Sequence, residues 1–477
     1  MSLDQQIEAF FSPLAEKLSA VVFYQWHLIG HDIPVIVLWL AIAALLFTVY
    51  FGFINLRGFT RALAIVRGKT QHSDASGEIS HFQALSTAIS GTVGVGNIGG
   101  VAVAITVGGP GAAFWLVVAG FLAMSTKFVE CTLGVKYRKV NADGSVSGGP
   151  MHYLEHYFVS RNRPLIGKLL GGFYALALVI GCLGIGNMFQ SNQAYVQIVN
   201  ITGGTDSLFA ERGWLFGVLL ALVVGAVIIG GIRSIARVAA KLVPLMAIIY
   251  CVSAIFIIAL SAEHLLGAIK LIFTSAFSFD SVQGGMIGAI IIGFQRALFS
   301  NEAGIGSASI AHSAVKTNEP VSEGLVSLLE PFIDTIVICT ITSLVIVTTA
   351  YPNGLMESHL GLEGIALTSA AFAHHISWSP ILLGIAALLF AFSTAIAWSY
   401  YGLKAWSYLF GEGNLTQLVF KGLFCGFIAI GCMVELSAVL EFSDAMVFLI
   451  AIPNIIGLYL FAPEVKQDLA SYMQRNP

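Results

Sequence analysis

Two glycine-rich stretches interrupt apolar segments of this sequence: Ser90–Gly100 (SGTVGVGNIGG) and Phe299–Ser307 (FSNEAGIGS). Glycine inside a helix costs about 1 kcal/mol relative to alanine, so each stretch predicts a break in a helix. Within a membrane, the backbone groups that a break frees are tolerated only where they line a cavity or are buried in protein. The two stretches therefore predict a binding site inside a membrane protein, although close helix packing at small residues is an alternative reason for the glycines.

The composition indicates a membrane protein. The chain has 477 residues, of which 57% are hydrophobic and 10% are charged, whereas a soluble domain carries about 25% charged residues. The net charge of -3 and the 23 Lys and Arg residues indicate no nucleic-acid partner. No motif indicates a cofactor or a protein partner.

Eleven segments are apolar and long enough to cross a bilayer, which takes about 20 residues. They lie at about 33–56, 83–108, 112–137, 170–198, 214–232, 239–261, 284–314, 322–350, 379–403, 417–433 and 438–461. An amphipathic stretch at 3–22 precedes them, and we expect it to lie on the membrane surface. The sequence therefore predicts an all-α polytopic membrane protein with 11 transmembrane helices.

The positions of the two breaks predict an internal repeat. If the helix at 83–108 is the first of a core, the helix at 284–314 is the sixth, and five helices per repeat make the second repeat inverted. Broken helices at matching positions of two repeats are typical of secondary-transporter sites. We expect an amphipathic N-terminal segment (1–32), an extra transmembrane helix (33–56), a first five-helix repeat (83–261), a second inverted repeat (284–461) and a tail (462–477).

The distribution of Lys and Arg predicts the orientation, since cytoplasmic loops carry an excess of both. Alternate loops and the tail hold eighteen of these residues, and the opposite side holds three. The eighteen are Arg57, Arg61, Arg67, Lys69, Lys136, Arg138, Lys139, Arg161, Arg163, Lys168, Arg233, Arg237, Lys241, Lys316, Lys404, Lys421, Lys466 and Arg475; the three are Lys17, Arg212 and Lys270. We expect a multi-pass protein of the plasma membrane, of the bacterial inner-membrane type, with its N-terminus outside and its C-terminus in the cytoplasm.

Several motifs resemble the alanine/glycine:cation symporter family. They are Thr92–Ile105, Gly108–Gly120, Gly148–Tyr153, Phe299–His312 and Phe392–Gly402. That family is similar in fold to the neurotransmitter:sodium symporters of the amino acid–polyamine–cation group. The resemblance implies a leucine-transporter-like, five-plus-five inverted-repeat fold with one extra N-terminal helix.

The resemblance also implies a site. By its motif, backbone amides of Val95 and Gly96 would hold a substrate carboxylate, and Gly94 would open the chain. Thr92, Ser300 and Asn301 are further candidates for substrate binding, and Phe299 and Trp398 would wall the pocket. Asn301 as a helix cap and Trp398 as a packed or interfacial residue are alternatives.

The same resemblance implies a sodium site. Carbonyl oxygens of Ser90 and Val93 would bind Na⁺ together with the hydroxyls of Ser393 and Thr394. Hydroxyls that bond back to their own helix are the alternative. Gly91 stands where the sodium symporters carry an Asn of a second sodium site, so the number of ions stays open.

Charged residues inside the spans are functional candidates. Lys127 and Glu130 are three residues apart in one helix, and we expect them to pair. Glu330 and Asp334 are candidate partners of Arg296. A polar cluster of Asn187, Gln190, Asn192 and Gln193 faces either the pocket or the outer vestibule.

The leading functional hypothesis is a symporter that couples Na⁺ influx to uptake of a small neutral amino acid, alanine or glycine, by alternating access. Proton coupling is the nearest alternative, and a channel is a more distant one. A membrane enzyme is disfavoured, because the sequence has no HExxH motif, nucleophile elbow or P-loop.

Overall fold

The computed structural model describes residues 3–28, 31–68, 76–141, 144–278, 285–356 and 360–475. These residues are mostly helical, and their strands form two antiparallel hairpins. Gln25–Leu28 pairs with His31–Pro34, and Lys139–Val140 pairs with Val146–Ser147. The expected start of the second repeat, residue 284, and Lys69 lie outside the described residues.

In the described part of the chain, four helices precede the helix that contains the first break: Leu3–Val22, Val35–Tyr50, Ile54–Arg57 and Phe59–Val66. The first corresponds to the amphipathic segment and packs against the last helix of the chain, Leu436–Arg475. The second corresponds to the expected extra transmembrane helix.

Ten core helices follow among the residues that the structure describes, numbered in chain order. Core helices 1 to 5 are His81–Gly108, with a break after Thr92, Gly111–Lys136, Pro164–Ile201, Gly213–Ile228 and Gly231–Leu260. Core helices 6 to 10 are the pair Gly285–Asn301 and Ser307–His312, then Pro320–Ala350, Ser379–Phe410, Asn414–Gly431 and Leu436–Arg475. Connecting helices at Pro150–Val159, Ala262–Ala276 and Ile365–His375, and a 3₁₀ turn at Gly204–Asp206, occupy loops that the sequence analysis left without structure.

Among the described residues, 7 helices are long and apolar enough to cross a membrane, or 8 if the two halves of core helix 1 form one span. Val35–Tyr50 and core helix 4 are apolar but shorter. The expected total of eleven spans therefore stays a prediction.

The loops rich in Lys and Arg meet on one side of the bundle, which we call the basic face. Arg138 donates hydrogen bonds to the carbonyls of Ser76, Val315 and Thr317, at 2.6, 2.5 and 2.8 Å. Lys404 donates to the carbonyl of Val146 at 2.9 Å on the same side. The alternation read from the sequence thus brings distant basic loops together, as a polytopic bundle requires.

Two core helices are distorted away from the predicted breaks. Core helix 3 contains a π-helical segment at Gly184–Met188, and core helix 7 contains two, at Phe332–Cys339 and Ile346–Ala350. Segments of this kind occur frequently at functional sites. Both distorted helices contact the break of core helix 1, as described below.

Candidate functional site

The first break lies in core helix 1. A capping box starts this helix: Ser80 Oγ accepts from the Gln83 amide at 3.3 Å, and Gln83 Oε1 accepts from the Ser80 amide at 3.0 Å. The helix ends at Thr92, Gly94 is extended, and a 3₁₀ turn at Val95–Asn97 leads into the second half. The halves are bent by 60°, which confirms the predicted break.

The second break lies in core helix 6, between Asn301 and Ser307. Glu302, Gly304 and Gly306 have positive φ values of 56°, 92° and 84°. The left-handed backbone strongly favours glycine, so the two glycines permit this turn. A side chain satisfies one freed backbone group, since Asn301 Oδ1 accepts from the Ala303 amide at 3.0 Å. In addition, the Ser307 hydroxyl donates to the Glu302 carboxylate across the break.

The four residues expected to bind sodium lie together and are buried. Ser90 Oγ donates to the Ser393 carbonyl at 2.6 Å, which joins core helices 1 and 8 before the break. Ser393 Oγ donates to the Phe390 carbonyl at 3.0 Å and contacts Met246 Sδ at 3.3 Å. Val93 follows the last residue of the first half-helix, and its backbone is extended.

Thr394 differs from the other three. Its hydroxyl oxygen is buried and has no hydrogen-bond partner among the described residues. It faces Gly94 so closely that a Cβ on this glycine would lie 2.7 Å from it. A buried hydroxyl usually has a partner, so an oxygen-seeking cation beside Gly94 fits this arrangement.

The residues expected around the substrate lie on the other side of the break. Gly96 faces Phe299, since a Cβ on Gly96 would lie 3.5 Å from the phenyl ring. Phe189 of core helix 3 meets Phe299 edge-on, with ring centroids 5.2 Å apart. Thr92 Oγ1 bonds back to the carbonyl of Ala88 at 3.3 Å. Phe189 is therefore a further candidate for the wall of the substrate pocket, which the sequence alone did not indicate.

Gln190 emerges from the polar cluster as a direct neighbour of the break. Its side-chain oxygen accepts from the Val95 amide at 2.9 Å, and its side-chain nitrogen donates to the Ile185 carbonyl at 3.0 Å. Asn187 and Asn192 instead donate to the backbone of core helix 9 and of the segment that follows it. The Val95 amide, expected to hold a carboxylate, is therefore already paired with a neutral side chain that a carboxylate would have to displace.

A second polar group lies beyond the break. Asp334 of core helix 7 accepts from Asn97 Nδ2 at 2.6 Å, from Ser300 Oγ at 2.9 Å and from Thr335 Oγ1 at 2.7 Å. Asn301 Nδ2 donates to Thr335 at 3.0 Å. Ser300 and Asn301 thus contact core helix 7, and the expected pairing of Asp334 with Arg296 is wrong.

Gly91 lies directly against Tyr401. A Cβ at this position would lie 2.9 Å from the Tyr401 hydroxyl. Tyr401 is itself fully buried on core helix 8. The tyrosine occupies the space that a larger residue at position 91 would need.

Trp398 lies one turn after Thr394 on core helix 8 and is fully buried. Its indole N–H donates to Glu302 at 2.8 Å, within the second break. A Cβ on Gly186, in the π segment of core helix 3, would overlap the indole at 2.0 Å. The indole therefore packs between the second break and core helix 3.

The buried charges pair differently from the expectation. Lys127 Nζ contacts Glu330 at 2.9 Å rather than Glu130, because core helix 7 packs directly on core helix 2. Glu130 accepts from Asn454 Nδ2 at 2.8 Å. The expected Lys127–Glu130 pair is wrong.

Arg296 pairs with Asp444 at the start of core helix 10, not with Glu330 or Asp334. Its guanidinium lies 5.2 Å from the centroid of Phe299. This ion pair sits between the breaks and the face opposite the basic face.

A buried ladder of charges extends from Lys127 toward the basic face. Glu330 lies 3.8 Å from His312, His312 contacts Glu323 at 2.6 Å, and Glu323 contacts His81. The ladder consists of Lys127, Glu330, His312, Glu323 and His81, and its exposed fractions do not exceed 4%. It ties core helices 1, 2, 6 and 7 together.

An all-α bundle with two interrupted helices side by side is the architecture of leucine-transporter-like secondary transporters. The fold of the chain is similar to that in the crystal structure of MhsT in complex with L-phenylalanine, with a TM-score of 0.58. The match covers 81% of this chain and 89% of that chain, and the two sequences are 14% identical. This likeness confirms the expected fold class.

The sequence comparisons define the family. The sodium:alanine symporter family matches residues 16–477. The chain is 38% identical to the sodium/alanine symporter AgcS of Methanococcus maripaludis over 89% of this chain and 91% of that protein. It is 33% identical to the probable sodium/glutamine symporter GlnT of Bacillus subtilis, over 90% and 86% of the two chains. The protein belongs to the sodium:alanine symporter family, a family of transporters.

Proposed function

We propose that this protein couples the influx of Na⁺ to the uptake of a small neutral amino acid, alanine or glycine, by alternating access. The unpartnered hydroxyl of Thr394, buried against Gly94 at the first break, carries the proposal. It offers an ion an oxygen that the protein leaves unused, next to the backbone that would bind the amino acid. In this proposal the ion and the amino acid bind at the same interruption of core helix 1, which would couple their transport.

Sodium is the coupling ion in this proposal. The carbonyls of Ser90 and Val93 and the hydroxyls of Ser393 and Thr394 form a set of neutral oxygens. Unwound carbonyls at the break of a discontinuous helix suit Na⁺, whereas this set contains no carboxylate to carry a proton.

The substrate would lie on the other side of Gly94. Its carboxylate would bind the Val95 and Gly96 amides after exchanging places with the Gln190 oxygen. Its side chain would face Phe299 and Phe189. Two aromatic rings in edge contact leave little room beyond Gly96, which supports a substrate as small as alanine or glycine. One relative is named a sodium/alanine symporter and another a probable sodium/glutamine symporter, and the small space beside Gly96 favours the smaller substrate here.

Proton coupling remains the second candidate, because Asp334 is a buried carboxylate two contacts from the substrate position. It receives hydrogen bonds from Asn97 and Ser300, one on each broken helix. Protonation of Asp334 would change both of these hydrogen bonds. A channel has less support, because the two breaks are paired within one chain, whereas channels usually build a pore from oligomer symmetry or rings of filter groups.

The decisive experiment is uptake of radiolabelled alanine into proteoliposomes with an imposed Na⁺ gradient or, separately, an imposed proton gradient. We expect accumulation above equilibrium with the Na⁺ gradient at constant pH, and none with a proton gradient in Na⁺-free buffer. Accumulation driven by a proton gradient alone would indicate that transport is coupled to protons through Asp334 and not to Na⁺. Equilibration without accumulation under either gradient would contradict symport.

A further inference from the structure

Glu302 is a buried residue of the second break to which the proposed transport cycle gives no role. It is 1% exposed. Its Oε1 accepts from the Trp398 indole at 2.8 Å, and its Oε2 accepts from the Ser307 hydroxyl. The carboxyl group thus connects core helix 8 to the second half of core helix 6.

The backbone at Glu302 has an unfavourable conformation. Its φ is 56°, in the left-handed region that residues with a Cβ rarely adopt. Gly304 and Gly306 hold the other positive φ values of the same turn, and a glycine at position 302 would adopt this conformation at lower cost. Strained positions of this kind cluster at functional sites. The side chain of Glu302 is therefore the feature to explain.

The indole of Trp398 is held from two sides. Glu302 accepts from its N–H, and the backbone of Gly186 lies so close that a Cβ there would be 2.0 Å from the ring. Rotation of a tryptophan ring about χ2 has broad energy wells, so packing alone defines it loosely. The hydrogen bond to Glu302 therefore selects the orientation in which the ring rests on Gly186.

Gly186 connects the indole to the proposed substrate position. It belongs to the π segment Gly184–Met188, which Phe189 and Gln190 follow directly. Gln190 bonds back into this segment through the Ile185 carbonyl at 3.0 Å, and it also pairs with the backbone of the first break. Displacement of the indole would therefore displace the segment that carries both residues.

We propose that Glu302 is a positioning residue for substrate selectivity. Its hydrogen bond holds the Trp398 indole against Gly186 and so fixes Phe189 as a wall beside the side chain of the amino acid. This role rests on the proposed function, since it concerns the same substrate position. A packed wall rejects added volume only while it cannot yield, so loss of the hydrogen bond should admit a larger amino acid.

The position of the indole can be measured without transport. In purified full-length protein labelled with ¹⁵N-tryptophan, the Trp398 indole N–H resonance is the one of seven that Trp398→Phe removes. Glu302→Gly, which the positive φ accommodates, should move this proton resonance upfield, as loss of a hydrogen bond does. Glu302→Gln should keep it near the parent position, because an amide oxygen also accepts a hydrogen bond.

Competition between leucine and labelled alanine in proteoliposomes measures the selectivity. Glu302→Gly and Trp398→Phe should each lower the preference for alanine by about threefold to tenfold, the effect of one hydrogen bond. The double variant should lower it no further than the larger single effect, because both changes remove the same contact. Glu302→Gln should keep the parent preference.

Glu130→Ala is the matched control. Glu130 is fully buried and accepts from Asn454 Nδ2 at 2.8 Å, and Asn454 also donates to the Gly304 carbonyl in the second break. The variant removes a buried carboxyl group beside the same break and leaves the acceptor of the indole in place. We expect it to keep the preference for alanine; a loss equal to that of Glu302→Gly would contradict a specific role of Glu302.

The two readouts separate this role from the proposed function. A parent protein that prefers alanine, together with Glu302→Gly and Trp398→Phe variants that keep this preference, would overturn the role of Glu302 alone. An indole resonance that stays in place in Glu302→Gly, or moves as far in Glu302→Gln, would overturn it as well. A parent protein without any preference for alanine over leucine would instead contradict the proposed substrate, while the indole resonance still decides whether Glu302 positions Trp398.

Discussion

The proposed location of the sodium site depends most on one atom, the hydroxyl oxygen of Thr394. Replacing Ser393 and Thr394 by alanine together removes two of the four proposed oxygens and leaves the carbonyls in place. Because a hydrogen-bond-type contact to a charged group contributes about 1.5–3 kcal/mol, we expect the Na⁺ concentration for half-maximal uptake to rise at least about tenfold. Uptake of labelled alanine at varied Na⁺ and constant ionic strength measures the shift.

Ser399→Ala is the matched control on the same helix. Ser399 Oγ donates to the Ile396 carbonyl at 2.7 Å, so its loss removes a buried hydroxyl of the same kind away from the ion. We expect wild-type Na⁺ dependence from this variant. A double variant with the same Na⁺ dependence as the control would move the ion site elsewhere.

Trp398 is the residue that we expect to limit substrate size. The indole fills the space against Gly186, so Trp398→Ala should open a cavity between core helix 3 and the second break. Leucine or methionine should then compete with labelled alanine, and alanine itself should bind more weakly through lost contacts. Competition by unlabelled leucine against labelled alanine measures both changes.

Trp406→Ala separates this effect from a general loss of packing. Trp406 lies on the same helix but packs on Phe410 and Phe420, toward the basic face. Truncation of the buried Trp398 should cost about 3–5 kcal/mol of stability, and truncation of the half-buried Trp406 should cost less. Only Trp398→Ala should admit leucine. If leucine is rejected by both variants and alanine affinity is unchanged, Trp398 is only a packing residue.

At the scale of elements, the Lys127–Glu330 pair joins core helices 2 and 7 inside the bundle. Lys127→Met leaves Glu330 charged and buried, which should cost about 3–5 kcal/mol and lower the thermal unfolding temperature. Adding Glu330→Gln removes the stranded charge, so the double variant should recover much of the loss. Thermal unfolding in detergent by tryptophan fluorescence measures the three proteins.

The exposed pair Arg475–Glu319 is the control for charge alone. Its contacts are 3.0 and 3.1 Å, but the Arg475 side chain is 61% exposed. Arg475→Gln should change stability by about 1 kcal/mol or less, since solvent screens the pair. A loss from Lys127→Met no larger than this would show that the ladder does not stabilise the bundle.

The Arg296–Asp444 pair connects core helix 6 to core helix 10 above the Phe299 ring, and we expect it to act as a gate. Asp444→Asn should weaken closure and speed release of bound alanine by about tenfold, because a charge-assisted contact contributes about 1.5–3 kcal/mol. Exchange of prebound labelled alanine with unlabelled alanine in purified protein measures the release rate.

Lys136→Gln provides the comparison for this gate. Lys136 contacts Glu464 and Asp468 of core helix 10 at 2.5 Å, on the basic face. Asp444→Asn and Lys136→Gln each weaken a contact to core helix 10. Only the Arg296–Asp444 pair lies on the side of the breaks opposite the basic face. Equal release rates in the two variants would contradict a gate at Arg296.

At the scale of the whole molecule, the orientation remains a prediction from the loop charges. Cysteines introduced at 206 or 360 should react with an impermeant thiol reagent in intact cells, and those at 142 or 412 should not. Asp206, Leu360 and Glu412 are exposed, and residue 142 lies outside the described part of the chain. The parent protein gives the background, since Cys251 and Cys425 are half-buried. Labelling at 412 but not at 206 would invert the orientation.

The sequence by itself determined the features that depend on neighbouring residues. Glycine-dense runs within apolar segments predicted both helix breaks, because the backbone cost of glycine is local. Alternating basic loops predicted which connections share a face. The spacing of Thr394 and Trp398 placed them on one side of core helix 8, since residues four apart lie on the same face.

Only the tertiary structure decided the partners of the buried polar groups. Lys127 pairs with a residue 203 positions away and Arg296 with one 148 positions away, although closer acids were available in the sequence. Gln190 reaches the Val95 amide across 95 positions. Several acids and amides could satisfy each group, and the choice among them depends on which helices pack together, which no local pattern contains.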